Sequence, residues 1–113
     1  MNDIQPVLNV VFYRTETGNE PVREWLMDLP REDRKLIGID IKSVQFGWPY
    51  GMPLVRKLEH RLWETRTLLG SNIARVIFTL VECEMVLLHG FIKKSQKTPK
   101  VELDTARRRK SKL

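Results

Sequence analysis

The sequence predicts an α+β fold: a small antiparallel β-sheet with two N-terminal helices packed on one face and a C-terminal helix. Three observations support this prediction. The first half contains one β-branched run followed by two stretches of helical period. The second half contains three β-rich runs joined by short turns. The length of 113 residues suits one domain, so residues 1–113 are predicted to form a single domain with the order β-α-α-β-β-β-α.

The first half supplies a strand and two amphipathic helices. Residues 8–13 form a β-branched and aromatic run that is typical of a strand. Pro21 stands where a helix can start, and Pro30 interrupts that helix and can open the next one. Residues 47–53 are rich in glycine and proline and are predicted to form a loop. Apolar residues recur with helical spacing in the two helical segments: Val22, Trp25, Leu26 and Leu29, then Ile37, Ile41, Val44 and Trp48.

Three strands and a last helix are predicted in the second half. Short turns join the strands, and this favours antiparallel neighbours. Thr98 and Pro99 supply a helix N-cap and a first-turn residue. Leu103 and Ala106 then form a thin apolar stripe along the last helix. The three strands are residues 61–67, 73–81 and 85–92.

Alternation along these strands predicts which side chains share a face of the sheet. Arg75 is expected on the open face, because its neighbours at every second position form a continuous apolar face that meets the helices. Trp63 is the natural core residue of the preceding strand. The apolar face comprises Ala74, Val76, Phe78 and Leu80. The residues that project away from the Trp63 face are Leu62, Glu64 and Arg66.

A cationic cleft is predicted on the open face of the sheet. Arg66 and Arg75 lie on neighbouring strands and are expected to converge there. Lys93 and Lys94 leave the end of the third strand and are expected to close the same cleft, with Lys57 on its rim. An arginine fork and crowded lysines are suited to binding phosphate.

Two of these polar residues have alternative structural roles. Arg75 can pair with Glu64 across the sheet. His89 alternates with Phe91 and Leu87, so it is either a packed, hydrogen-bonded histidine or an acid–base catalyst.

The charge balance favours a polyanionic partner. Net charge is +6 and the pI is near 9.8. Most of the surplus lies in residues 93–112. The basic run at residues 107–110 is either a solvated tail or part of a nucleic-acid surface.

The composition narrows the classes of protein that fit. Cys83 is the single cysteine, which excludes an internal disulfide and a cysteine-based metal cluster. No apolar stretch approaches the roughly 20 residues of a membrane helix, so no membrane partner is expected. Residues 1–5 do not begin a signal peptide, and a reducing cytoplasm is the expected compartment.

Three segments carry a resemblance to a known family. Residues 58–66 read Leu-Glu-His-Arg-Leu-Trp-Glu-Thr-Arg, residues 75–78 read Arg-Val-Ile-Phe, and residues 87–99 end in Phe-Ile-Lys-Lys-Ser-Gln-Lys-Thr-Pro. In this order they resemble the phage-derived Gp49-like branch of the RelE/ParE toxin superfamily, which includes the HigB toxins of type II toxin–antitoxin systems. The resemblance covers residues 8–110 and implies a RelE-like fold. Arg61 stands where many relatives carry glycine, so a strained turn is not expected there.

The resemblance implies an activity and two kinds of partner. The activity is that of a ribosome-dependent endoribonuclease, or mRNA interferase, that cleaves translated mRNA and inhibits growth. The partners are the ribosome with its mRNA and a cognate helix-turn-helix antitoxin, with which the toxin can form a hetero-oligomer. A ParE-like inhibitor of DNA gyrase and a non-enzymatic nucleic-acid-binding protein are the alternatives.

RNA cleavage without a metal requires side chains that stabilise the charged phosphorane and side chains that act as acid and base. Arg66 and Arg75 are predicted to stabilise the charged phosphorane, because a guanidinium binds phosphate oxygens bidentately. Crowded lysines release a proton more readily, so one of Lys93, Lys94 and Lys97 is predicted to be the acid or base. The backup acid–base candidates are His89 and Glu64. The full predicted catalytic set is Arg66, Arg75, Lys94, Lys97 and His89. The predicted RNA- and ribosome-binding set is Lys57, Arg61, Lys93, Arg107 and Arg108. No metal or cofactor is predicted.

Overall fold

Five strands form one sheet in the order β1-β5-β4-β3-β2 in the computed structural model, which describes residues 4–113. Residues 1–3 lie outside the described residues, so the expectation about a signal peptide at residues 1–5 falls partly outside the structure. The predicted α+β class and the predicted elements in their order are confirmed, and one further strand, β2, precedes the three predicted in the second half. The elements are β1 (Asn9–Phe12), α1 (Pro21–Met27), α2 (Arg31–Gly47), β2 (Val55–Glu59), β3 (Leu62–Leu69), β4 (Asn72–Val81), β5 (Glu84–Lys93) and α3 (Lys100–Lys110).

The sheet differs from the prediction at both of its edges. Strand β2 was not predicted, and it pairs with β3 in an antiparallel hairpin. Strand β1 pairs with β5 in parallel, whereas β2, β3, β4 and β5 are antiparallel neighbours. A long connection through α1, α2 and three strands carries the chain from β1 to β5, and such a crossover permits parallel pairing.

The hairpin between β2 and β3 turns at Arg61, which has a positive φ of 59°. The expectation that this position is free of strain is therefore wrong. A non-glycine residue in the left-handed region needs compensation from its surroundings. The Arg61 guanidinium donates to the Leu80 carbonyl at 2.6 Å, and the Arg61 carbonyl accepts a 2.6 Å hydrogen bond from the Thr79 hydroxyl.

Two hydrophobic cores lie on opposite faces of the sheet. The predicted alternation along β4 is confirmed, because its apolar face is buried against α1 and α2. Helix α3 covers the other face. The first core includes Val22, Ile37, Val44, Ala74, Val76, Phe78 and Leu87, with Trp25 and Trp63 packed against it. The second includes Tyr13, Leu62, Ile77, Leu88, Phe91 and Ala106.

A β-bulge changes the faces along β5. Ile77 of β4 pairs with His89, whereas the next residue, Phe78, pairs with Leu87, so Leu88 is the extra residue. Leu87 packs in the first core and Leu88 in the second. His89 contacts α3. The expectation that His89 and Leu87 share a face is therefore wrong.

Helix α3 starts one residue later than predicted. Pro99 is its N-cap, and the Thr98 hydroxyl donates to Glu64 on the sheet, so it does not cap the helix. The C-terminal end of α3 is docked on the sheet, where the Arg109 guanidinium donates to the Leu88 carbonyl at 2.8 Å. Among the described residues, no helix is long and apolar enough to cross a membrane.

Candidate nucleic-acid site

An arginine cluster lies on the α3 face of the sheet. Arg66 of β3 and Arg75 of β4 are register partners, and Arg56 of β2 is paired with Glu64, two residues before Arg66. Partners in antiparallel register place their side chains on the same face. We call Arg56, Arg66 and Arg75 the arginine cluster. The predicted convergence of Arg66 and Arg75 is confirmed.

The arginine cluster holds the segment that joins β5 to α3, residues 94–99, which we call the connecting segment. Arg56 donates to the Gln96 carbonyl at 2.9 Å, and Arg66 donates to the Gln96 side-chain oxygen at 2.9 Å. Arg75 donates through one amino group to the Lys97 carbonyl at 3.2 Å and through the other to the Ser95 carbonyl. Three successive carbonyls therefore point inward to guanidinium groups.

Arg75 is buried beneath this segment, with 0% of its surface exposed. The expectation that it lies on an open face is wrong, because the connecting segment covers it. Burial lowers the pKa of Arg75, and the nearby Glu64 carboxylate opposes that shift. The Arg75 guanidinium also lies 5.8 Å from the centre of the Phe91 ring.

Glu64 supplies negative charge at the base of the arginine cluster and is itself fully buried. Its Oε2 accepts a 2.8 Å hydrogen bond from Thr98. Its Oε1 lies 3.7 Å from Arg66 Nη1 and 4.0 Å from Arg75 Nε. The alternative in which Arg75 pairs with Glu64 across the sheet is thus present as a long ion pair. Two arginines around one carboxylate leave a positive excess.

The lysines next to these carbonyls are exposed. Lys93 ends β5, and Lys94 and Lys97 belong to the connecting segment. The Ser95 hydroxyl donates to the Lys97 carbonyl at 3.1 Å. We call Lys93, Lys94 and Lys97 the lysine edge. It is exposed, the arginine cluster lies behind it, and this concentration of positive charge is suited to an anionic ligand.

Grooves flank this edge on both sides. One groove has a volume of about 480 Å³, and Arg66 and Gln96 line one end of it. Its other walls are mostly apolar and come from α2, the loop before β2 and the end of the β3–β4 hairpin. A second groove, of about 550 Å³, runs from Ser95 and Lys97 to Arg107 along α3.

Phe91 lies between His89 and the arginine cluster, since it contacts both His89 and Arg75. Its Nε2 is 2.8 Å from the Glu102 carboxylate, and its Nδ1 is 3.4 Å from the Arg109 guanidinium. Arginine can only donate, so Nδ1 accepts and Nε2 carries the proton that is donated to Glu102. The side chain is 18% exposed and stacks on Phe91. His89 is therefore packed and hydrogen-bonded, and its acid–base role stays a prediction.

The predicted binding residues are dispersed. Lys57 pairs with Trp63 in register and lies 6.0 Å from its ring, on the opposite face from the arginine cluster. The expectation that Lys57 lines the rim of the cleft is therefore wrong. Arg107 is tied to Glu59 and Asp104 by ion pairs, whereas Arg108 is exposed.

Arg56 and Gln96 also belong to the site, although the sequence did not predict them. Arg56 precedes Lys57, and the alternation of β2 places it with Glu64, but this signal is visible only once β2 is recognised as a strand. Gln96 was hidden because its contacts depend on how the connecting segment crosses the sheet. Within residues 4–113, no group of three or more His, Cys, Asp or Glu side chains is arranged to hold a metal ion.

The residues of this site lie in the part of the chain that matches a known protein family. A profile of the family described as phage derived protein Gp49-like (DUF891) matches residues 24–111. That span contains the arginine cluster, the connecting segment and all of α3. No curated protein matches the chain.

Proposed function

Because this chain belongs to the phage-derived Gp49-like family, a toxin-like family, we propose that it is the toxin of a type II toxin–antitoxin system and an endoribonuclease that cleaves translated mRNA on the ribosome. The observation that supports RNA as the substrate is the exposed lysine edge at Lys93, Lys94 and Lys97, held in place by the arginine cluster. Phosphate is the repeating charged group of RNA, and ammonium and guanidinium groups bind it through charge-assisted hydrogen bonds.

Cleavage follows the route that needs no metal. The 2′-oxygen of one nucleotide attacks the adjacent phosphorus while a base removes its proton. The bond from phosphorus to the 5′-oxygen breaks, and an acid protonates that oxygen. The products are a 2′,3′-cyclic phosphate and a 5′-hydroxyl, so no water is consumed in this step.

The lysines contact the reacting phosphate in this proposal. Lys94 and Lys97 bind the non-bridging oxygens. One of them also acts as the acid or the base, either by protonating the 5′-oxygen or by removing the proton of the 2′-hydroxyl. Arg66 and Arg75 act from beneath, because their donors hold the connecting segment and their positive charge lies in a poorly solvated layer close to the phosphate. His89 is the further acid–base candidate, reached along the Phe91 side of the site.

The partners follow from the same proposal. A helix-turn-helix antitoxin is proposed to neutralise the toxin by binding to it as a hetero-oligomer, and the ribosome is proposed to present the mRNA. The net charge of +6 supports association with ribosomal RNA.

The test is induced expression in a bacterium, followed by transcriptome-wide mapping of mRNA 5′ ends within minutes. We expect new cuts inside translated frames that disappear when translation is blocked. The variant K94Q/K97Q is expected to lower cleavage by roughly 100-fold or more, the scale of general acid–base catalysis. The control K35Q/K42Q removes the same charge from exposed positions of α2 and is expected to cleave normally.

Two outcomes would contradict the proposal. Growth arrest with intact mRNA and DNA damage would indicate a gyrase inhibitor, and the absence of both arrest and cuts would indicate a non-enzymatic nucleic-acid-binding protein. Undiminished cleavage by a folded K94Q/K97Q variant would contradict the assignment of the site while leaving the activity in place.

A further inference from the structure

A cavity between the last turns of α3 and the loop after β1 lies apart from the connecting segment. Its volume is about 310 Å³. We propose that this cavity is a second binding site, specific for a phosphate group of the RNA backbone, which anchors the protein on RNA away from the site of cleavage. We call it the α3 cavity. Its lining residues are Tyr13, Thr15, Glu16, Thr17, Arg108, Arg109 and Lys112.

The basic run of α3 is divided among three environments, and only some of its cations reach this cavity. Arg107 points to the other flank of the helix, where it is bound to Glu59 and Asp104. Arg109 is anchored inward, with its guanidinium 5.9 Å from the centre of the Tyr13 ring. Arg108 is exposed at the cavity. The run is therefore not a solvated tail.

Arg108 and Lys112 are the cations that a ligand would meet. Arg108 lies in the last turn of α3 and Lys112 lies in the turn that follows it. Both line the cavity, so their like charges repel each other. Over the described part of the chain, neither is in an ion pair, whereas Arg107 is in two. A bound anion would relieve this repulsion.

Burial and the neighbouring Arg108 both lower the pKa of Arg109, the third cation of the cavity. Burial is the larger of these two causes, and the positive charge of Arg108 adds to it.

The wall opposite the cations carries hydroxyl groups in a closed turn. Thr15 and Thr17 have their hydroxyl oxygens 3.2 Å apart, and the Thr15 hydroxyl accepts a 3.0 Å hydrogen bond from the Asn19 amide. Backbone hydrogen bonds close the turn, from the Thr15 amide to the Asn19 carbonyl and from the Gly18 amide to the Thr15 carbonyl. One of these hydroxyls donates to the other, which leaves one hydroxyl donor in the same cavity as a guanidinium and an ammonium. Together these donors match the oxygens of a phosphate.

Glu16 also lines the cavity. Substitution of Glu16 and substitution of the cations should therefore change the affinity for phosphate in opposite directions. The Glu16 carboxylate repels a phosphate, so removing its charge should strengthen binding, whereas removing Arg108 and Lys112 should weaken it. A merely structural role for these exposed side chains would not produce opposite changes in affinity.

The ligand is RNA in this inference, which rests on the proposed function for its biological setting. The α3 cavity shares no lining residue with the groove that contains Lys97 and Arg107, so the phosphate that is anchored is not the phosphate that is cleaved. The structured RNA of a ribosome presents phosphates on many surfaces and is suited to such a second contact.

The experiment measures binding of a fluorescein-labelled RNA hairpin by fluorescence anisotropy over a range of salt concentrations. The variant R108Q/K112Q is expected to bind about 10-fold or more weakly, and the dependence of log K on log salt should become shallower by roughly 1, as for one lost phosphate contact. E16Q is expected to bind more tightly. The control K35Q/K42Q removes equal charge elsewhere and should bind nearly as the wild type does.

A second readout distinguishes RNA from a free anion. Inorganic phosphate is titrated while the amide resonances of Thr15 and Thr17 are followed by NMR. Perturbation by the RNA hairpin at much lower concentration than by inorganic phosphate supports the proposal, and equal perturbation per phosphate would overturn the assignment to RNA. Equal losses in the two double variants, or no effect of E16Q, would overturn the site.

Mapping of mRNA cuts keeps this inference separate from the proposed function. If the wild type cleaves mRNA and R108Q/K112Q binds the hairpin normally, the cavity is not an RNA site although the function stands. If the wild type makes no cuts but R108Q/K112Q loses binding, the proposed activity fails while the RNA site stands.

Discussion

Arg75 illustrates how one side chain can support a site without facing solvent. It is enclosed by the connecting segment, it donates to two backbone carbonyls there, and it lies beside a buried carboxylate. A lysine at this position would keep the charge but lose the planar fork that reaches both carbonyls. Arg75 therefore holds the backbone of the connecting segment at Ser95 and Lys97, and in the proposed function it positions Lys97 as well as supplying positive charge.

Loss of Arg75 should reduce stability strongly. The change R75M leaves Glu64 as a buried carboxylate with less compensation, and breaking such a pair costs about 3–5 kcal/mol. Urea unfolding would measure the loss. In the R75M background, E64Q should restore part of the stability, because the buried charge is then removed. If the two changes instead added their separate costs, the coupling between Arg75 and Glu64 would be refuted.

Gly90 makes a second prediction at the scale of a residue. A Cβ at this position would lie 2.3 Å from an atom of the Trp25 ring, so α1 packs on β5 only because this residue lacks a side chain. We expect G90A to destabilise the protein by about 1–3 kcal/mol, the usual cost of overpacking. G38A is the matched control. Nothing lies within 4 Å of the Cβ added there in α2, so stability should rise by about 0.5–1 kcal/mol in the same unfolding measurement. A neutral G90A would show that Trp25 moves aside freely.

At the scale of elements, the docking of α3 on β2 depends on an ion pair. Arg107 of α3 donates two hydrogen bonds to Glu59 of β2 through Nε and one through Nη2. The hydrogen bond from Arg107 lowers the pKa of Glu59 from its ordinary value of 4.5. This contribution to stability is present above pH 4.5 and is lost as the pH falls through the lowered pKa, because protonation then competes with the ion pair.

The corresponding prediction concerns acid sensitivity. Between about pH 6 and about pH 3, the free energy of unfolding should fall more in the wild type than in E59Q, since the variant lacks the carboxylate that must be protonated. Urea titrations at several pH values would measure both slopes. E82Q removes a carboxylate from the exposed β4–β5 turn and should retain the slope of the wild type. Equal slopes for the wild type and E59Q would exclude this ion pair as a source of acid sensitivity.

Element order and the faces of β4 follow from local patterns in the sequence. Ala74, Val76 and Phe78 alternate with Arg75 and Ile77, and period-two alternation assigns a face without knowledge of the rest of the fold. The burial of Val22 in α1 likewise follows from helical spacing. These features are predictable because each depends on residues only a few positions apart.

Features that depend on contacts between distant parts of the chain could not be predicted from such local patterns. The bulge at Leu88 reverses the alternation of β5, and no local signal in the sequence marks it. Strand β2 is short and strongly charged, so its pattern resembles that of a loop. The burial of Arg75 depends on the path of the connecting segment, and that path is determined jointly by Arg56, Arg66 and Thr98.

For the molecule as a whole, charge is divided between the interior and the surface. The arginine cluster is largely shielded from solvent, with 8% of the Arg66 side chain and none of Arg75 exposed. The lysine edge and the cations of the α3 cavity are exposed. At moderate ionic strength, interactions between exposed charges more than about 10 Å apart are largely screened, whereas buried pairs are screened much less. Binding and stability should therefore respond differently to salt.

This difference gives a prediction for the whole molecule. Raising salt from about 50 mM to about 200 mM should weaken RNA binding by orders of magnitude if six or more phosphates are contacted, because bound counterions are released from the RNA. Over the same range, the free energy of unfolding in urea should stay level or rise slightly, because salt also relieves the mutual repulsion of a chain with net charge +6. K94Q/K97Q should show a shallower salt dependence of binding with an unchanged urea midpoint. A steep loss of stability with salt would mean that exposed ion pairs, such as that between Arg107 and Glu59, hold the fold together, in place of the two cores and the buried arginine cluster.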